Sequence, residues 1–237
     1  SAAIRQDLAS RAAVPGDLES VLKALPKFGH PMDWLSVGIH TLGMLETTND
    51  WKEDALNLIA RMPRLMGLIF RIREGREENI PADDTSLSMV ERFVRTLDID
   101  DADDEKMKQI ISTYLVLHMD HGGGNLSTFA GKAIASSKAT VYSSMAGAMN
   151  ALSGPLHGRA NQSCLEFVLK VGTSDPVEVE AFVRAELKAN RPIFGFGHAV
   201  LRSEDPRATV QFKLGSEICP DDENFKIVTT LREVAPR

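Results

Sequence analysis

Four of the six histidines in this 237-residue chain sit in glycine-containing stretches. These are "HMDHGGGN" at 118–125, "GPLHG" at 154–158 and "GFGHAVLRSEDPR" at 195–207. An imidazole with small neighbours can be approached by a substrate and can exchange a proton near neutral pH. His157 is the sharpest case: Gly154 and Pro155 form a turn, and the chain from about Gly158 reads as a helix start. The N–H groups and positive dipole end of that helix would face the ring. A neutral imidazole there donates one hydrogen bond to a developing enolate oxygen. The competing reading is a turn histidine packed on a neighbouring helix. Arg202 and Arg207 closely follow His198, and Arg207 comes directly after "DP", a helix-start signal that puts its guanidinium at the first turn. The planar fork of arginine suits a carboxylate, which points to a small dicarboxylate or carboxylate-bearing ligand. A surface ion pair with Glu204 or Asp205 is the plainer alternative.

Other motifs fail on inspection. The GxG of Gly195 and Gly197 has Val200 where a dinucleotide fingerprint needs glycine or alanine, and no βαβ pattern surrounds it. Gly131-Lys132 ends like a phosphate loop, but Ala133 replaces the hydroxyl residue and Leu126 the first glycine. His118, Asp120 and His121 could be metal ligands, yet zinc would need a further ligand nearby, and neither Cys164 nor Cys219 has a CxxC partner. No metal is expected, and His118 reads as a helix C-terminal cap. The cysteine usage fits a reducing compartment.

The elements that must position these residues are helical. "MDWLSVGIHTLGMLE" sets Trp34, Leu35, Ile39, Leu42 and Leu45 on one core-facing stripe. "WKEDALNLIARMPRLMGLIFRIREG" repeats the pattern, with Asp50 as N-cap, Gly75 as stop and Pro63 kinking or splitting the helix. "DDEKMKQIISTYLVLHMDH" begins with acids and ends with histidines, as the macrodipole favours. Further helices are predicted at 87–97, 126–136, 140–152, 158–171, 176–189, 206–217 and 222–232, with acidic loops at 76–86 and 98–103. Period-two alternation is nearly absent, so the fold class is all-α. His30 and His40 read as structural. With 43% hydrophobic and 25% charged residues the composition is that of a soluble globular protein. A net charge of -6 argues against a nucleic-acid partner. No run approaches the ~18 to 20 apolar residues of a membrane span, and the first residues lack the apolar core of a leader.

"HMDHGGGN", "GPLHGRANQ" and "GFGHAVLRSEDPR", in this order and spacing, resemble citrate synthase of the eukaryotic-type branch, and the likeness extends to "GHPMDWLSVGIHTLG". The resemblance implies an all-α homodimer whose large and small domains close over oxaloacetate and acetyl-CoA. It implies a partial large domain at 1–153 and a partial small domain at 154–237. By position, His157 matches the histidine that stabilises the acetyl-CoA enol, and His198 the one that polarises the oxaloacetate carbonyl. His121 and Arg207 match oxaloacetate-binding positions. Arg202 matches a residue near the coenzyme A phosphates, and the backbone of Ile193, Phe194, Gly195 and Gly197 falls where the family cradles adenine. Gly122 stands where this branch usually has glutamate, and Arg159 occupies a more variable position; neither change reads as disabling. No permanently bound cofactor is implied, acetyl-CoA being a co-substrate.

The family chain is considerably longer, and this sequence resembles its middle, without the carboxylate that acts as base and without two further carboxylate-binding arginines. A positioned general base is worth ~10²- to 10⁴-fold, so this polypeptide alone is expected to turn over poorly. It is also expected to expose apolar helix faces. A 2-methylcitrate synthase or a citryl-CoA lyase would share these motifs, and from another class a non-catalytic dicarboxylate-binding module would keep them. The compartment implied is bacterial cytoplasm or, in a eukaryote, the mitochondrial matrix.

Overall fold

A computed structural model describes residues 2–99, 102–120, 122–196 and 203–235. Among these residues the chain is helical with no strand, and it divides into two compact units, Ser1–Gly154 and Pro155–Arg237.

The first unit runs α1 (Ala2–Ser10), α2 (Gly16–Ala24), α3 (Pro31–Glu46), α4 (Trp51–Arg73), a 3-10 turn (Glu77–Asn79), α5 (Met89–Leu97), α6 (Asp104–His118), α7 (Leu126–Ala135) and α8 (Val141–Leu152). Its helix starts follow the side chains that precede them. His30 caps α3 by accepting from the Met32 amide at 3.2 Å, while Asp33 returns a bond to the His30 amide at 3.1 Å. Asp50 caps α4 through the amides of Lys52 and Glu53. One stripe of α3 (Trp34, Leu35, Ile39, Leu42) meets α4 (Leu58, Leu65, Leu68, Ile69, Ile72), α2 (Leu18, Leu22) and α8 (Tyr142, Ala146) in one core.

Two sequence expectations change here, and one of two alternatives, at Pro63, is removed. Leu45, assigned to the core stripe, is 42% exposed: the buried stripe of α3 ends at Leu42, one turn before the helix does. Helix α4 does not split at Pro63 but runs on to Arg73. A helix-interior proline costs ~3 kcal/mol, whereas each fully buried aliphatic side chain returns ~1.5–3 kcal/mol, so the five core residues of α4 outweigh it. Helices α1 and α2 were not expected. The signs of α2 are nonetheless in the sequence: Asp17 and Glu19 in its first turn, Lys23 in its last, and Leu18 and Leu22 one turn apart.

Close crossings are made at glycines. A Cβ on Gly43 of α3 would stand 2.6 Å from Cβ of Tyr142, and one on Gly67 of α4 would collide with Thr96 of α5. A buried polar knot lies beside the first crossing. Tyr142 Oη donates to Glu46 Oε1 at 2.7 Å. Arg61 Nε approaches Glu46 Oε2 to 2.9 Å but directs its N–H to the Ala13 carbonyl at 3.1 Å, leaving Oε2 buried without a hydrogen bond. Burial pushes the Glu46 carboxyl up, against the pull of the Tyr142 bond and the Arg61 charge.

The second unit holds α9 (Ala160–Val171), α10 (Pro176–Lys188), α11 (Pro206–Ile218) and α12 (Glu223–Val234). Phe167, Val168 and Val171 of α9, Val179 and Val183 of α10 and Ile227, Leu231 and Val234 of α12 form its core, joined by Ile193 from the segment after α10. Gly215 admits the ring of Phe225, so α11 lies close to α12.

Candidate functional site

His157 is half-buried and lies three residues ahead of α9. The helix starts at Ala160, two residues later than expected, because Gly158 and Arg159 stay in the turn. The His157 carbonyl accepts from the Ala160 amide at 3.4 Å. Helix α9 opens with Arg159 as N-cap and no side-chain cap, whereas Asp175, Asp205 and Asp222 cap the other three helices of this unit with carboxylates. The partial positive charge of that end is therefore not met by an acid of its own N-cap.

The segment 191–196 rests on the flank of the same helix. Ile193 is buried in the core, and the Phe194 ring stands edge-on to Phe167 of α9 with centroids 6.2 Å apart. The Phe196 amide donates to the Ile193 carbonyl at 3.2 Å, closing a turn. Gly195 sits at φ +87, and a Cβ there would come within 3.3 Å of Cys164 Sγ on α9. Only glycine adopts this backbone without strain. Burial pushes the Cys164 thiol up, so the sulfur serves as packing rather than as a thiolate.

Arg207 is in the first turn of α11, as the "DP" signal implied, and Asp205 caps that helix through the Arg207 amide at 2.9 Å. The guanidinium folds back on the same carboxylate, with Nη2 2.6 Å from Asp205 Oδ2. Glu204 pairs instead with Arg232 at 2.6 Å. His121, Gly197, His198 and Arg202 lie outside the described residues.

His118 and His30 have local partners. His118 ends α6, its Nδ1 donating to the Tyr114 carbonyl at 2.8 Å and its ring stacked on Tyr114. His30 is the cap described above, and His40 is exposed. Among the described residues no group of three histidine, cysteine or carboxylate side chains is arranged to hold a metal, and no helix is long and apolar enough to cross a membrane. A cavity of about 890 Å³ opens in the first unit beside Trp51, Asp54, Lys132, Lys138 and Met145; no described candidate residue lines it.

A clamp that the sequence reading missed fixes where the turn begins. Helix α10 ends in a left-handed Asn190 (φ +54), with Asn190 N–H donating to the Leu187 carbonyl and Arg191 N–H to the Glu186 carbonyl, both at 2.9 Å. This is a Schellman termination. The Arg191 side chain then returns to the buried Glu186 carboxylate through Nε at 2.8 Å and Nη2 at 2.7 Å, with Lys170 Nζ at 3.2 Å. Those bonds hold the Glu186 carboxyl down to about 2. "ANRP" at 189–192, with asparagine at the stop and proline two places on, was the available signal.

The family profile described as "Citrate synthase, C-terminal domain" matches residues 1–237. A mitochondrial citrate synthase of Arabidopsis thaliana is 35% identical over 99% of this chain and 52% of its own length. A mitochondrial 2-methylcitrate synthase of Yarrowia lipolytica is 34% identical over 98% of the chain and 53% of its own. Among solved structures, citrate synthase from Thermotoga maritima superposes with a TM-score of 0.81 at 30% identity, covering 97% of this chain and 60% of that one. The chain thus spans about half the length of the curated relatives it matches.

Proposed function

The chain belongs to the citrate synthase family, and on that premise we propose that it carries part of the apparatus that condenses acetyl-CoA with oxaloacetate. The observation that carries the proposal is His157, followed by Gly158 and leading into α9, which among the described helices of its unit is the one without a side-chain cap. In the reaction a base removes a methyl proton of acetyl-CoA. His157 donates a hydrogen bond to the resulting enol oxygen, where preorganised donors act most strongly. The enol carbon attacks the ketone carbon of oxaloacetate while His198 polarises the ketone and supplies its proton. Water then cleaves the citryl thioester, giving citrate and coenzyme A. His121 and Arg207 bind oxaloacetate carboxylates, Arg207 exchanging its bond to Asp205 for the substrate. Arg202 meets the coenzyme phosphates, and the backbone of Ile193, Phe194, Gly195 and Gly197 receives adenine. No permanent cofactor is needed. The working form is a homodimer in the mitochondrial matrix or, in a bacterium, the cytoplasm.

The test is thiol release from acetyl-CoA and oxaloacetate, with calorimetric titration of each ligand, for the wild type and His157→Ala. Binding of both ligands with release no faster than in His157→Ala fits an apparatus that turns over poorly alone. Release well above that variant overturns the expected inactivity and strengthens the condensation reading. Absence of binding and of release sinks it. Propionyl-CoA belongs in the same assay, because the 2-methylcitrate synthase relative is as similar as the citrate synthase one.

A further inference from the structure

The segment proposed to receive adenine is held at both ends by residues to which the family likeness assigns no role. At its start, Arg191 makes a two-bond fork to Glu186 and an amide bond to the same residue's carbonyl. At its far end, Phe194 abuts Phe167, and Gly195 closes down on Cys164. Glu186 is 5% exposed, and a carboxylate so placed is costly unless it is fully bonded. Two of its three side-chain donors come from Arg191 and the third from Lys170 of α9, so the charge is fully met only when the segment starts in this arrangement.

We propose that Glu186 is a positioning residue for the coenzyme: by gripping Arg191 it presets the backbone of 191–196, between its own helix and α9, to receive the adenine ring. This rests on the reading that the segment meets coenzyme A, and it goes beyond that reading by naming the group that fixes the segment before the ligand arrives. Preorganisation raises affinity because the ordering entropy is lost before binding. The proposal gives the Glu186 and Arg191 side chains no contact of their own with the ligand; they act through the backbone they hold.

The experiment titrates the 237-residue chain with coenzyme A and with adenosine 3′,5′-bisphosphate, the adenine-bearing half, in a calorimeter, and follows amide exchange of 191–196. Glu186→Gln and Arg191→Ala are expected to weaken both ligands by the same factor, roughly tenfold, equivalent to ~1.4 kcal/mol. They should also speed exchange in the segment, leaving the core amides of α9 and α12 protected. Arg191→Lys, which keeps the charge but loses the two-bond fork, should recover only part of the affinity. Glu180→Gln, which removes the exposed Glu180–Arg184 pair of the same helix, should change neither readout. Unaltered affinity in Glu186→Gln and Arg191→Ala while the wild type binds overturns this inference and spares the coenzyme reading. A larger loss for coenzyme A than for the bisphosphate, or full rescue by lysine, also overturns it. A wild type that binds neither probe sinks both.

Discussion

Glu46 in the first unit, half-buried, and Glu186 in the second, buried, each lie beside an arginine, yet their carboxyls move in opposite directions. Arg61 comes within 2.9 Å of Glu46 but spends its Nε–H on a backbone carbonyl, so the carboxylate gains charge proximity without a hydrogen bond, and desolvation prevails. Arg191 presents two N–H groups to Glu186, and these bonds outweigh desolvation. The lesson is geometric: a nearby guanidinium lowers a carboxyl reliably only when its N–H vectors end on the oxygens.

Several experiments would break or sharpen that contrast. The largest effect is expected from Tyr142→Ala, which removes a fully buried ring and a donor to Glu46; a loss of ~3–5 kcal/mol is the range for large-to-small core changes. Both tryptophans and both tyrosines lie in the first unit, so urea unfolding followed by Trp34 fluorescence reads it there. Arg61→Met should cost about 1–3 kcal/mol by the same measure, because a buried oxygen loses its only cation. Acid dependence comes next. The folded-state carboxyl of Glu186 lies at about 2, below its ordinary 4.5, so its contribution is complete above 4.5 and is lost as pH falls towards 2. Glu46 is raised, so its contribution weakens as pH rises through the folded value. Unfolding across pH should therefore show slopes of opposite sign that Glu186→Gln and Glu46→Gln separately flatten; equal signs would refute the contrast. The smallest effect belongs to Arg191→Met, whose side chain is half exposed: it should lower the melting temperature less than Arg61→Met, while exchange in 191–196 rises.

Much of this was legible from sequence because helix signals are local. Asp50, Asp175, Asp205 and Asp222 stand where a cap is needed, and the spacing of Trp34, Leu35, Ile39 and Leu42 names the buried stripe. Helix α1 was not legible, since it buries no residue and has no periodic face to read. Leu45 was misassigned because periodicity gives the spacing of a buried stripe but not the point along the helix where it ends. His157 and Arg207 could be singled out from their glycine and "DP" settings. The direction of the Arg207 guanidinium could not, because the choice between Asp205 and a ligand depends on a side-chain rotamer. The Glu186–Arg191 fork escaped notice because it depends on a left-handed residue between the partners, which turns two positions five apart towards each other.

The glycine crossings have a consequence for how this sequence can change. Where Gly43 meets Tyr142, Gly67 meets Thr96 and Gly215 meets Phe225, one added methyl group has nowhere to go without moving a neighbouring side chain or helix. A comprehensive substitution library should thus show solitary vetoes on otherwise permissive helices. Compensation for each veto would have to come from trimming its partner, so paired reversals at 43 and 142, 67 and 96, or 215 and 225 form a short list of coupled evolutionary moves.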